Sequence, residues 1–186
     1  EAISKQKISI KSFWATTTRA HVFVPSLTFG KEELENIKGV EEYEFRLLIE
    51  ILTAKNTSDR VIYVSSPGVQ SKVSKHLVEL LGLPEEESQQ ILKRIDFVEV
   101  PTKAFTPLTH RILEDDQIIK KISNLIGNTP ALLRSFNVTS AEWQLAKQLD
   151  TVTDGAHPYL SEVFGTKTGN YMVFASADVR TRIGLS

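Results

Sequence analysis

Two short polar stretches in this chain have the residue types to hold an anion. Ser65-Ser66-Pro67-Gly68 offers two hydroxyls and backbone N–H groups directly before a helical pattern, and Asn137-Val138-Thr139 offers an amide and a hydroxyl before another. N–H groups at a helix start point at whatever precedes it and favour negative charge. The competing reading of both stretches is a helix cap, because serine, threonine and asparagine are preferred cap residues. If the strands before the two stretches run the same way, Ser65, Ser66, Asn137 and Thr139 flank one crevice at the carboxyl edge of a sheet.

Other chemistries find less support. The histidines His21, His76, His110 and His157 are far apart and make no His-Glu-x-x-His or similar ligand spacing. There is no Gly-x-Gly-x-x-Gly, no Gly-x4-Gly-Lys-Ser/Thr and no Gly-x-Ser-x-Gly. The absence of cysteine excludes disulfides, thiolate catalysis and cysteine-ligated zinc, and it fits a reducing, cytoplasmic setting. A formal net charge of −1 gives no reason to expect nucleic acid or an anionic membrane as a partner. No stretch reaches the roughly 20 apolar residues of a membrane span. No catalytic residues and no metal ligands are assigned from these patterns.

The elements that would position the two stretches follow a strand-then-helix rhythm. Val61 to Val64 is a continuous apolar run, suited to a strand buried on both faces and read as the central one. It ends at Pro67, which cannot extend a ladder. Val69, Val73, Leu77, Leu80 and Leu81 then mark the apolar face of a helix. Ile8 to Trp14 reads as a tether or a first edge strand, and Ala20 to Val24 as a strand closed by Pro25. Lys31 to Ile37 reads as a short helix, and Glu41 to Ala54 as a longer one carrying a Glu42, Arg46, Glu50 ladder. Leu83-Pro84-Glu85 opens another helix.

Arg94 to Val100 is a third strand. Thr106-Pro107 starts helical sequence that runs to Ile126, with a break near Glu114-Asp115-Asp116. Ala131 to Phe136 is a fourth strand, and Thr139-Ser140-Ala141-Glu142 is a capping box for the helix ending near Leu149. Thr151 to Thr153 is a short fifth strand, a short helix lies within Gly155 to Thr166, and Lys167 to Ala177 is the last helix. With no Asn-Gly hairpin signal between strands, this order predicts an α/β, Rossmann-like three-layer domain: a mostly parallel sheet with helices on both faces.

Six segments, in order, resemble the pre-ATP-grasp domain of a carboxylate–amine ligase family, the pheganomycin-type peptide ligases. They are Ser26-Leu27, Val40-Glu-Glu-Tyr43-Glu44-Phe-Arg46-Leu47-Leu48, Val64-Ser65-Ser66-Pro67, and Pro107-Leu-Thr-His-Arg-Ile-Leu113-Glu114. The last two are Phe136-Asn137-Val138-Thr139 with Glu142, Leu145 and Ala146, and Gly165-Thr166-Lys167-Thr168-Gly169 with Phe174 and Ala177. Asn170, Asp178 and Arg180 depart from the family's usual arginine, glycine and proline.

The resemblance implies an N-terminal tether or edge strand over residues 1–20, a pre-ATP-grasp domain over 21–160, and the start of an ATP-grasp domain over 161–186. It also implies an enzyme that makes an acyl phosphate from a carboxylate with ATP and magnesium, then lets an amine displace the phosphate. Lys167 matches a lysine that contacts nucleotide phosphates in related enzymes. ATP and Mg2+ would be used by the full-length protein, with none expected bound to this chain alone. The expected partners are a small carboxylate, amino-acid or peptide substrate and the rest of the ATP-grasp domain. Two alternatives stand beside this: a non-catalytic binding or assembly module with the same fold, and an independent small-ligand α/β protein.

Overall fold

The computed structural model describes residues 9–40, 43–45, 47, 58–70, 82–164 and 167–175. Most of the helix expected over 41–54, with its charged ladder, and most of the one after Gly68 lie outside these residues.

Helix α1 (Ile10–Ala15) occupies the segment expected to be a tether or edge strand. Its start is fixed by a reciprocal cap: Ser9 Oγ accepts from the Ser12 N–H, and Ser12 Oγ accepts from the Ser9 N–H. Phe13 of this short helix is fully buried. The chain continues through β1 (Ala20–Val24), α2 (Lys31–Asn36), β2 (Arg60–Ser65), α3 (Glu85–Leu92), β3 (Ile95–Glu99), α4 (Leu108–Leu113), α5 (Asp116–Ile126), β4 (Ala131–Ser135), α6 (Ser140–Leu149), β5 (Val152–Thr153), α7 (Pro158–Phe164) and α8 (Lys167–Ala175).

The break between α4 and α5 falls at the acidic cluster because Asp115 accepts from the N–H groups of Gln117 and Ile118 and caps α5. At the start of α4, Thr106 does not cap. Its hydroxyl donates back to the Ala104 carbonyl, and Pro107 takes the cap position without a side-chain bond.

All five strands are parallel, in the order β3-β2-β1-β4-β5, so the fold is the α/β, Rossmann-like arrangement. The centre belongs to β1. The apolar run Val61 to Val64, expected to be central, lies second, between β1 and β3. One face carries Val22, Ile62 and Leu133 against Ile112, Ile122 and Leu145 of α4, α5 and α6. The other carries Phe23, Tyr63 and Ile95 against Ile91 of α3 with Phe45 and Leu47. Burying each such side chain contributes about 1.5–3 kcal/mol, and coverage of both faces is why Val61 to Val64 is an unbroken apolar run rather than an alternating one.

Near the amino ends of β1 and β2, His21 and Asp59 are both buried, with His21 Nε2 3.1 Å from Asp59 Oδ2. Arg19 adds bonds to the same carboxylate at 2.9 and 3.2 Å and lies over the Phe13 and Trp14 rings. Burial holds the His21 pKa below its ordinary value despite the opposing bond and charge of Asp59. For Asp59, burial pushes upward, but hydrogen bonds from Arg19 and His21 outweigh it and the pKa is lowered.

Both lowered values make the native state bind fewer protons than the unfolded chain. Stability therefore falls as pH drops: first below about 6.5 through His21, then below about 4 through Asp59, each by up to about 1.4 kcal/mol per pH unit. Urea denaturation between pH 7.5 and 5.5 should show the first loss, and His21→Gln should flatten it. An equal slope in the variant would assign the loss elsewhere.

Helices α7 and α8 form a close hairpin at Gly169, where a Cβ would lie 2.0 Å from the Val163 carbonyl oxygen. No helix among the described residues is long and apolar enough to cross a membrane.

Candidate functional site at the carboxyl edge of the sheet

Because the sheet is wholly parallel, the turns after β2 and β4 lie at one edge, on either side of β1. Ser65, Ser66, Asn137 and Thr139 therefore share that edge, as the sequence predicts. Their polar groups are engaged within the protein.

After β2, the Ser66 N–H does hold an anion, the carboxylate of Glu44. Ser66 N–H donates to Glu44 Oε2 at 2.5 Å and Ser66 Oγ donates to Glu44 Oε1 at 2.9 Å. Arg111, reaching back from α4, completes the cluster. Its Nη2 is 2.9 Å from Glu44 Oε1, and its Nη1 donates to Ser66 Oγ at 3.1 Å and the Pro101 carbonyl at 3.0 Å. Both charged side chains are less than a tenth exposed. The Tyr63 hydroxyl donates to the Glu44 carbonyl, and burial together with the Glu44 charge pushes that phenol's pKa up. Ser65 Oγ donates to the Ser66 carbonyl, and the Gly68 N–H donates to Glu99, with Gly68 at a φ of +82°.

After β4, Asn137 and Thr28 exchange two bonds of 3.3 Å, from Thr28 N–H to Asn137 Oδ1 and from Asn137 Nδ2 to the Thr28 carbonyl. A second buried carboxylate, Glu142, accepts from Thr28 Oγ1 at 2.5 Å and from the Thr139 N–H and hydroxyl at 2.8 and 2.6 Å. The capping box expected from Thr139 and Glu142 is present. In a strand order that reverses at β1, the crevice between β1 and β4 is where open parallel sheets usually bind ligands. Here that gap is bridged by the chain's own side chains.

The open space lies on the other side of β1. A cavity of about 360 Å³ is bounded by α2 and the turn after it, Glu44, the loop from Thr102 to Pro107, and Arg111. Leu34, Ile37 and Val40 give it apolar walls, and none of the four turn residues expected to line a crevice borders it. Glu44 and Arg111 were not singled out from sequence. Their signal was a charge beside apolar residues, with Glu44 between Tyr43 and Phe45 and Arg111 directly before Ile112-Leu113. Buried charge needs a partner, so each of these positions implies another.

No group of three histidine, aspartate or glutamate side chains close enough to hold a metal ion occurs among the described residues. They do not by themselves fit a magnesium–nucleotide site. Lys167 is the first residue of α8, far along the chain from the cavity segments, and its side chain lies outside the described atoms.

No family model matches this chain, and no solved structure matches it. The chain is 23% identical over 189 residues to IQ motif-containing protein H of Danio rerio, a match that takes in 92% of this chain. The chain spans 18% of the length of that curated relative.

Proposed function

We propose that this chain is the amino-terminal, substrate-side domain of an ATP-dependent ligase that joins a carboxylate to an amine, and that it is not competent for catalysis alone. The observation that carries this reading is the cavity at the carboxyl edge of the sheet, with the guanidinium of Arg111 held in its wall. Parallel α/β sheets place ligand sites at that edge. The two segments that build the Glu44–Arg111 cluster are also segments on which the ligase resemblance rests. Lys167, at the start of α8, would contact the nucleotide phosphates, and metal ligands would come from outside the described residues.

The test uses a polypeptide that carries this chain with the residues following it. ATP, Mg2+ and amino-acid pools should give ADP release, with hydroxylamine trapping an acyl phosphate, and Lys167→Ala should weaken ATP binding. The 186-residue chain alone should release no ADP. Absence of ADP release from the longer polypeptide with every carboxylate and amine tried would sink the ligase reading.

A second reading, a non-catalytic binding or assembly module, is favoured by one observation. The polar groups at the ends of β2 and β4 are satisfied by Glu44 and Glu142. Ligand binding without nucleotide turnover is its signature.

A further inference from the structure

His21 is buried beside α1 with half of its polar capacity unused. Its Nε2 is 3.1 Å from Asp59 Oδ2, and its Nδ1 is buried without a hydrogen-bond partner. The ionised Asp59 can only accept, so Nε2 carries the single proton of the neutral ring and Nδ1 is a bare lone pair. A second proton has to enter at Nδ1, as a buried donor with nothing to bond. Such donors are costly and are normally paired with protein or water.

Three rings enclose the imidazole. Phe23 stacks on it at 6.2 Å, Phe13 meets it edge-on at 5.5 Å, and Trp14 lies at 6.3 Å. Phe23 belongs to β1, which is bonded to a strand on each side. Phe13 and Trp14 belong to α1, whose hold is far weaker. Among the described residues, the hydrogen bonds of residues 9–16 all stay within that segment. Phe13 is fully buried and Trp14 is about half exposed. The Arg19 guanidinium lies over both rings while it bonds Asp59. Segments held this lightly open locally at less cost than the whole fold, so α1 is the wall that can move.

We propose that α1 is a pH-sensitive latch: protonation of His21 at Nδ1 releases α1 from the amino ends of β1 and β2 and exposes Phe13 and Trp14, while the sheet stays folded. The surrounding charges set where the latch acts. Among the described residues, Asp59 favours the added proton, and Arg19, just before β1, and Arg134, on β4, oppose it. With α1 docked, burial outweighs Asp59 and keeps the ring neutral. With α1 lifted, water reaches Nδ1, and the ring regains an ordinary proton affinity near pH 6.5. Docking is therefore intact above about pH 6.5 and is lost as pH falls below it. The released-to-docked ratio rises by up to about tenfold per pH unit. The latch uses none of the residues at the carboxyl edge, so it stands or falls apart from the ligase reading.

The experiment is NMR of the full 186-residue chain between pH 7.5 and 5.0, without denaturant, following amide and imidazole signals together. The His21 ring should titrate. The amides of Ser12 to Ala15 and the Trp14 indole N–H should move toward random-coil positions with the same midpoint. The amides of Val22, Ile62 and Leu133, in the middle of the sheet, should stay in place. His21→Gln keeps a donor for Asp59 but takes up no proton, and its α1 signals should hold their docked positions down to pH 5.0.

Should that variant fold poorly, Phe13→Ala keeps the latch exposed to failure. Without the buried ring, α1 should already be released at pH 7.5, and the His21 midpoint should rise toward 6.5. Four results would each overturn the latch. They are α1 signals that stay put while His21 titrates, a pH response of α1 unchanged in His21→Gln, loss of α1 only together with the sheet signals, and a His21 ring that does not titrate above pH 5.0. A His21 midpoint indifferent to Phe13→Ala would do the same.

Discussion

Glu44→Ala should destabilise the fold by about 3–5 kcal/mol, the range found when one partner of a buried ion pair is removed. Arg111 is only 8% exposed and would keep its charge without the carboxylate that neutralises it. The Ser66 N–H, which donates to Glu44 Oε2, would be orphaned at the same time. The apolar double replacement Glu44→Leu with Arg111→Met removes both charges and should recover part of the loss. It cannot recover all of it, because the Ser66 N–H and hydroxyl still lack an acceptor, at about 1–3 kcal/mol for such a group. Urea denaturation of parent, single variants and double variant gives the full cycle. A loss below about 1 kcal/mol for Glu44→Ala would mean that water or another group replaces the carboxylate, and that the pair behaves like an exposed one.

The second large effect is expected at Glu142. Its side chain is fully buried and accepts three hydrogen bonds, from Thr28 Oγ1 and from the N–H and hydroxyl of Thr139. Bonds to a charged acceptor contribute about 1.5–3 kcal/mol each, with losses less than additive within one network. Glu142→Ala should therefore cost about 3–4 kcal/mol. Glu142→Gln keeps the shape but turns one oxygen into an NH2 group that must avoid the Thr139 N–H, so its cost should be about half. Hydrogen exchange locates the damage: protection should fall first at the carboxyl ends of β1 and β4 and the start of α6. Uniform loss of protection across the sheet would argue against a local clamp between β1 and β4.

Much of the architecture was legible because parallel strands buried on both faces read as short apolar runs with abrupt polar ends. Ala20 to Val24 stops at Pro25, and Val61 to Val64 runs into the serines before Pro67. The same physics explains why strand order was less legible. Apolarity reports that both faces are covered but not which strands are neighbours, and Val61 to Val64 of β2 is as fully buried as β1. Residues 10–15 gave no periodic signal because the helix is under two turns long, and Phe13 is the one buried side chain among residues 11–15.

At the site, the sequence offered two readings of the turn at Ser66, an anion holder and a helix cap, and named no occupant. A glutamate inside a helical pattern looks like part of a solvated face until a buried arginine is found opposite it. Glu44 and Arg111 are 67 residues apart, and only the fold brings them together.

The pairing of β1 has a consequence for how the chain is made. Ala20 pairs with Arg60 on one side and with Ala131 on the other. During synthesis β2 can dock soon after it leaves the ribosome, but the opposite side of β1 has no strand to meet until Ala131–Ser135 emerges. About 70 residues separate the ends of β2 and β4, which at about 5–20 residues per second is a wait of roughly 4–14 s. Throughout it the strand destined for the middle of the sheet is an open, apolar edge, the kind that recruits strands from neighbouring chains. For a nascent chain of this topology, the hazard of aggregation is concentrated in that interval and ends when the fourth strand docks.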